Sequence, residues 1–194
     1  TPQEVIKNSG ADILRLWVVS SDYSEDLRIG PEILKTSVDA YRKYRNTLRW
    51  MLGTLAHDAG EVTPVKDMPE LEQLMLHRLA ELDELVRKGY DEFEFRKITK
   101  ALMDFMVVEL SAFYFDIRKD ALYCDAPSSA KRKASIEVVR HLFNCLTKWT
   151  APLLPFTTEE AWLSLHRDAK SVHLEQFPQV PAQWRNDALA EKWD

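Results

Sequence analysis

Arg42, Arg45 and Arg49 follow one another at intervals of three and four residues, with Asn46 four beyond Arg42. On a helix turning about 100° per residue they line one flank. A guanidinium is a planar fork that donates paired N–H groups to oxygen, so a row of them suits phosphates or base edges. From Tyr41 to Trp50 the chain carries Arg42, Lys43, Arg45 and Arg49 and no acid, and no carboxylate occurs between Asp39 and Asp58. This local excess sits in a protein of formal net charge −5. The same run also fits a solvated helix face with a surplus of charge.

Other residue types that could do chemistry do not assemble into a catalytic pattern. There is no phosphate-binding glycine loop, zinc-protease motif, serine elbow or CxxC pair. His57, His77, His141, His166 and His173 are scattered, and none has a histidine four residues away to share a metal ion. Cys124 and Cys145 read as reduced thiols, the second as packing inside an apolar helix. Glu159-Glu160 could imitate an acid pair, but Thr157 to Glu160 reads as a helix capping box. No catalytic residue and no metal site is expected. Phe113 to Asp120 mixes aromatics with charges and, taken with the arginine row, forms a candidate second wall of an RNA-facing groove.

Long helices must position these groups. Thr1-Pro2-Gln3-Glu4 is a capping box with proline at the first helical position, and Gly10 supplies a stop. A second helix spans Ala11 to Val19, and Ser20 to Gly30 reads as irregular. Pro31 opens a long helix to about Ala56, with Val38, Tyr41, Leu48, Leu52 and Leu55 expected on its buried side. Further helices are predicted over Glu70 to Lys88, Phe93 to Cys124 and Ala130 to Thr150, with Gly89 to Glu92 as a turn. The second of these offers Ile98, Leu102, Phe105, Met106, Val108 and Phe113 to the core. Pro152 and Pro155 break the chain before a short helix started by Thr157. A loop-rich tail follows, with one extended piece at Val172 to Leu174. The architecture is an all-α, antiparallel helical bundle: residues 1–30 form a helical junction and 31–194 the bundle with its tail.

The 194 residues are 45% apolar and 10% aromatic, enough for a real core and against disorder. No run of about 18 apolar residues is present, so no transmembrane helix or membrane partner is expected. The chain opens on Thr1 without a signal peptide, which fits a processed chain or an excised piece.

Three phrases, in order, resemble class I aminoacyl-tRNA synthetases. Gly10-Ala11-Asp12-Ile13-Leu14-Arg15-Leu16-Trp17-Val18, followed by Asp22-Tyr23, resembles the segment after the KMSKS loop. Tyr41 to Arg49 resembles the start of the anticodon-binding helical domain, and Ala151 to Trp162 its closing segment. Asp22 to Ile29 and Leu110 to Tyr123 are most similar to the isoleucyl members, with the same domain of a valyl or leucyl enzyme as the alternative. A free-standing helical adaptor for a protein partner is the competing class. Glu25, Trp50 and Ala121 depart from the usual pattern.

The resemblance implies a fragment of a cytoplasmic, monomeric isoleucine-activating ligase, with the catalytic domain of the same polypeptide and the tRNA anticodon stem-loop as its partners. It implies no cofactor in the fragment: ATP and magnesium would serve the parent's catalytic part, and a zinc site would lie outside this chain. The implied RNA contacts are Arg42, Arg45 and Arg49 to phosphates or bases, Asn46 by a hydrogen bond, and Tyr41 and Trp50 by stacking. Arg118 and Lys119 would close the groove from the second wall. Asp12, Arg15 and Trp17 would secure the junction.

Overall fold

Helices α1 (Pro2–Ser9) and α2 (Ala11–Ser20) begin the chain. A computed structural model describes residues 1–193; Asp194, the last residue assigned to the tail, lies outside the described residues. Thr1 caps α1 in the expected box with Glu4, and Gly10 ends it at φ 89°, where a side chain would be strained. Helix α3 (Pro31–Leu55) is the long basic helix. Helix α4 (Glu70–Asp91) leads to a rod made of α5 (Phe95–Asp104), a π-helical stretch (Phe105–Tyr114) and α6 (Phe115–Cys124). Helices α7 (Ala130–Thr150), α8 (Pro155–Leu165) and α9 (Asp187–Trp193) follow.

Paired side chains fix how these helices run. Glu72 near the start of α4 meets Tyr114 and Arg118 on the rod, while Gly89 near its end abuts Ile98, so α4 and the rod are antiparallel. Ser135 reaches Glu72 and Trp149 O accepts from Tyr90, so α7 runs parallel to α4. Tyr44 bonds Thr150, and Arg140 reaches Asp58 just past α3, so α7 is antiparallel to α3. Met51, Met75, Leu79, Leu102, Met106, Phe143, Leu146 and Trp149 fill the core where these helices meet. Helix α2 packs on α3, α5 and α8.

Several local expectations are corrected. The buried face of α3 is centred on Tyr44, Thr47, Leu48, Met51 and Leu55, while Tyr41 and Leu52 lie at its edge. It is therefore turned by about 70° from the expected stripe, less than one helical step. The hydroxyls of Tyr44 and Thr47 tolerate burial because Thr150 and the Lys43 carbonyl bond them. Gly89 is not a turn: α4 continues through it, and a Cβ there would lie 2.5 Å from Ile98 Cγ1. The rod buries Ile98, Leu102, Met106, Leu110 and Tyr114, and leaves Val108 56% exposed. From Met106 to Tyr114 this four-residue step runs through the widened π turns, which shift the inward face away from an α-helical count.

Helix α8 starts at Pro155, two residues before the expected cap. Thr157 therefore lies inside the helix, and Asp12 Oδ2 accepts from its backbone N at 2.7 Å and from its Oγ1 at 2.6 Å. A carboxylate from α2 thus does the capping, favoured by the positive end of the helix dipole. Val172–Leu174 is a 3-10 turn closed by Ser171, and no strand occurs among the described residues. The tail also contains α9, which the loop-rich reading left out. No helix among the described residues is long and apolar enough to cross a membrane.

Candidate nucleic-acid interface

Because α3 buries Tyr44 and Met51, the side chains on its opposite face form a solvent-exposed crest: Arg42, Arg45, Asn46 and Arg49. The structure thus brings the four expected flank residues onto one ridge. Tyr41 and Trp50 sit on its two shoulders, both half-buried.

The Tyr41 shoulder overlooks a groove shared with α8. Arg45, Arg49, Leu52, Thr157, Glu160 and Ser164 line it around about 220 Å³ of space. Arg45 spans this groove: Nη1 donates to Glu160 Oε2 at 2.7 Å and Nη2 to Oε1 at 2.8 Å. The bidentate bond holds the Glu160 carboxyl below the ordinary carboxylate range and lifts the Arg45 guanidinium above its own. Tyr41 is tied down by a 3.0 Å bond between its hydroxyl and Thr157 Oγ1.

The Trp50 shoulder overlooks a second hollow, of about 460 Å³, between α3 and the rod. Lys43, Asn46, Trp50, Ser111, Lys119 and Tyr123 are among its lining residues. Trp50 stacks on Phe115 with ring centres 3.9 Å apart and planes at 18°. One face of its indole is therefore already covered, leaving the edge and the other face toward the hollow. Lys43 belongs to this hollow and stands apart from the arginine row.

The basic groups differ in how far they are committed. Arg42 lies 3.7 Å from Asp39, both exposed, a pair of little energetic weight. Lys119 pairs with Asp116 at 2.7 Å at the rim of the hollow. Arg49 has no hydrogen-bond or ion-pair partner among the described residues. Arg118 is turned inward. Its Nε and Nη2 donate to Glu72 at 2.6 and 2.8 Å, and the same carboxylate accepts from Tyr114 and Ser135. Glu72 is fully buried, so this guanidinium neutralises a charge inside the bundle and is withheld from any groove wall. Burial and the Glu72 charge together push the Tyr114 phenol well above its ordinary value.

At the junction, Arg15 donates to the carbonyls of Leu153 and Pro152 at 2.9 and 2.7 Å, and Asp12 caps α8. Both therefore fasten α2 to the α7–α8 turn of this chain. Glu160 and Lys43 line the two grooves without having been expected there from the sequence. Glu160 was masked by the apparent capping box, and Lys43 by the misplaced apolar stripe. No three His, Cys, Asp or Glu side chains come together to hold a metal ion among the described residues.

A family model described as the anticodon-binding domain of tRNA ligase matches residues 72–194. An isoleucine–tRNA ligase of Mesorhizobium japonicum is 76% identical over 99% of this chain, which corresponds to 19% of that protein. Those of Agrobacterium fabrum and Bartonella henselae are 68% and 62% identical, again over about 20% of their length. The chain thus spans about one fifth of the curated relatives it matches. Among solved structures, the ternary complex of Agrobacterium radiobacter K84 agnB2 LeuRS, tRNA and LeuAMS shares the fold. It has a TM-score of 0.73 at 16% identity, covering 96% of this chain and 21% of that one.

Proposed function

The chain belongs to the family of anticodon-binding domains of tRNA ligases, and we propose that it holds the anticodon arm of the tRNA within an isoleucine–tRNA ligase. The observation that carries this reading is the crest of α3, where Arg42, Arg45, Asn46 and Arg49 stand exposed on a stretch without a carboxylate. Such a ridge can neutralise successive phosphates, while the Asn46 amide offers a donor and an acceptor to a base edge. Trp50 and Lys119 then frame an unstacked nucleotide in the hollow beside it. Tyr41, fixed by Thr157, forms the opposite shoulder. Arg118 supports the bundle instead of the RNA. The LeuRS that shares this fold was solved in a ternary complex with tRNA, in keeping with this use of the fold.

Activation of isoleucine with ATP and magnesium belongs, in this proposal, to parts of the ligase outside the chain, as does any zinc site. No cluster of ligands fit for a metal occurs among the described residues. The ligase is proposed to act as a cytoplasmic monomer, with α1 and α2 at the junction to its catalytic domain. The specificity is tested by titrating the chain with purified tRNAs accepting isoleucine, valine and leucine, and with the isoleucine anticodon stem-loop alone. Binding of the stem-loop comparable to that of its whole tRNA is expected. No binding of either at low salt would remove the RNA reading, and a partner-sized exposed apolar patch would then favour the adaptor. The chain given isoleucine and ATP is expected to show no pyrophosphate exchange.

A further inference from the structure

Among the described residues, Glu160 is the one carboxylate that the fold places against the crest from another helix with a bidentate grip. Its side chain is 59% exposed and that of Arg45 46%, so neither is buried by the bundle and the pair can part without opening the core. A carboxylate and a phosphate present the same feature to a guanidinium, two oxygens that accept parallel N–H bonds. In the unliganded chain Arg45 is thus occupied by a stand-in for an RNA phosphate. Asp39 makes no such grip on Arg42, and Arg49 has no hydrogen-bond or ion-pair partner among the described residues.

We propose that Glu160 is a selectivity residue for RNA: it keeps Arg45 extended across the α3–α8 groove, and is displaced only by a phosphate that reaches that groove in the right place. This rests on the reading of α3 as an RNA-binding crest. A loosely placed polyanion gains Arg42 and Arg49 but must compete with Glu160 for Arg45, so the pair works against wrong ligands more than against a fitted one. The geometry supports the exchange. Only the Arg45 fork has to move, since Ser164 and Thr157 on the same groove are satisfied by Glu160 O and Asp12.

The test uses the chain with Glu160→Gln, Arg45→Ala and both together, titrated with the isoleucine tRNA and with poly(U) across a salt series. Both sites are exposed, and thermal melting checks that the variants fold. Glu160→Gln is expected to tighten poly(U) about fivefold while tightening the tRNA less. It should also steepen the poly(U) log–log salt slope by roughly 0.7, as one added phosphate contact on a single strand requires. In the Arg45→Ala background the same substitution should change neither, which separates the pair from general repulsion by Glu160. Unchanged or weakened poly(U) binding by Glu160→Gln overturns the proposal while leaving the crest in place, as does an equal gain in the Arg45→Ala background. Failure of the wild-type chain to bind either RNA overturns this proposal and the crest together.

Discussion

Two arginines that look equivalent in sequence have opposite employments. Arg49 on the crest of α3 has no ion-pair partner among the described residues, whereas Arg118 is locked onto the fully buried Glu72. Replacing Arg49 with Ala should leave stability nearly unchanged and flatten the tRNA salt slope by about 0.7 to 0.9. Replacing Arg118 with Ala leaves a buried carboxylate without its charge partner, and should cost about 3 kcal/mol of stability. Denaturant melts and salt titrations of the two variants check this contrast. A large loss of tRNA affinity by folded Arg118→Ala with no loss of stability would reverse the assignment. The sequence shows both residues as exposed-looking cations near aromatics. It does not show Glu72, which lies across the bundle on another helix and has the spacing of an ordinary first-turn acid.

Helix ends show where local signals suffice and where they fail. The box at Thr1 is legible because both of its bonds close within four residues, and Pro31 marks the start of α3 for the same local reason. Thr157 to Glu160 has the same pattern but is overruled. Pro155 starts α8 earlier, and Asp12, distant in sequence, reaches its first turn. Asp12→Ala should therefore cost about 1 to 2 kcal/mol, seen as a fall in Tm, although Asp12 lies outside α8. An unchanged Tm would mean that α8 caps itself. The π-helical stretch was equally hidden, since an i→i+5 register carries no residue signature and Phe105 to Tyr114 holds neither Gly nor Pro. Gly89 has the appearance of a turn residue, but its role is the close passage of Ile98. Gly89→Ala should destabilise the bundle by about 1 to 2 kcal/mol despite the better helix propensity of alanine. A stabilised variant would show that Ile98 yields easily.

At the scale of the molecule, the all-helical bundle and the basic ridge were legible because periodic apolar residues and uninterrupted cations are local patterns. The grooves on either side of the ridge were not, because their other walls come from α8 and the rod. The whole fold also has a pH response. Burial lowers the pKa of His141, with Arg140 acting the same way and Glu137 and Asp58 opposing it. Burial likewise lowers that of His166, where Lys148 assists and Glu175 opposes. Each imidazole is thus harder to protonate in the folded chain than at its ordinary value of 6.5. Below that value the unfolded chain binds more protons, so their contribution to stability is complete above about pH 6.5 and is lost as pH falls from there. Tm should decline between about pH 6.5 and 5, before most carboxylates titrate, and His141→Gln should lessen the decline. A Tm that is level or rises over this interval would contradict it.

The central claim is that the crest of α3 meets tRNA through phosphate contacts. The most direct measurement is the salt dependence of isoleucine-tRNA binding by the chain and by a variant with Arg42, Arg45 and Arg49 all changed to Gln. Three or four contacts predict a log–log slope of about −3 for the unaltered chain. Loss of the three guanidiniums should bring it to about −1 or shallower while the variant keeps its helical content. An unaltered slope in the folded triple variant would contradict the claim and place the RNA elsewhere on the bundle.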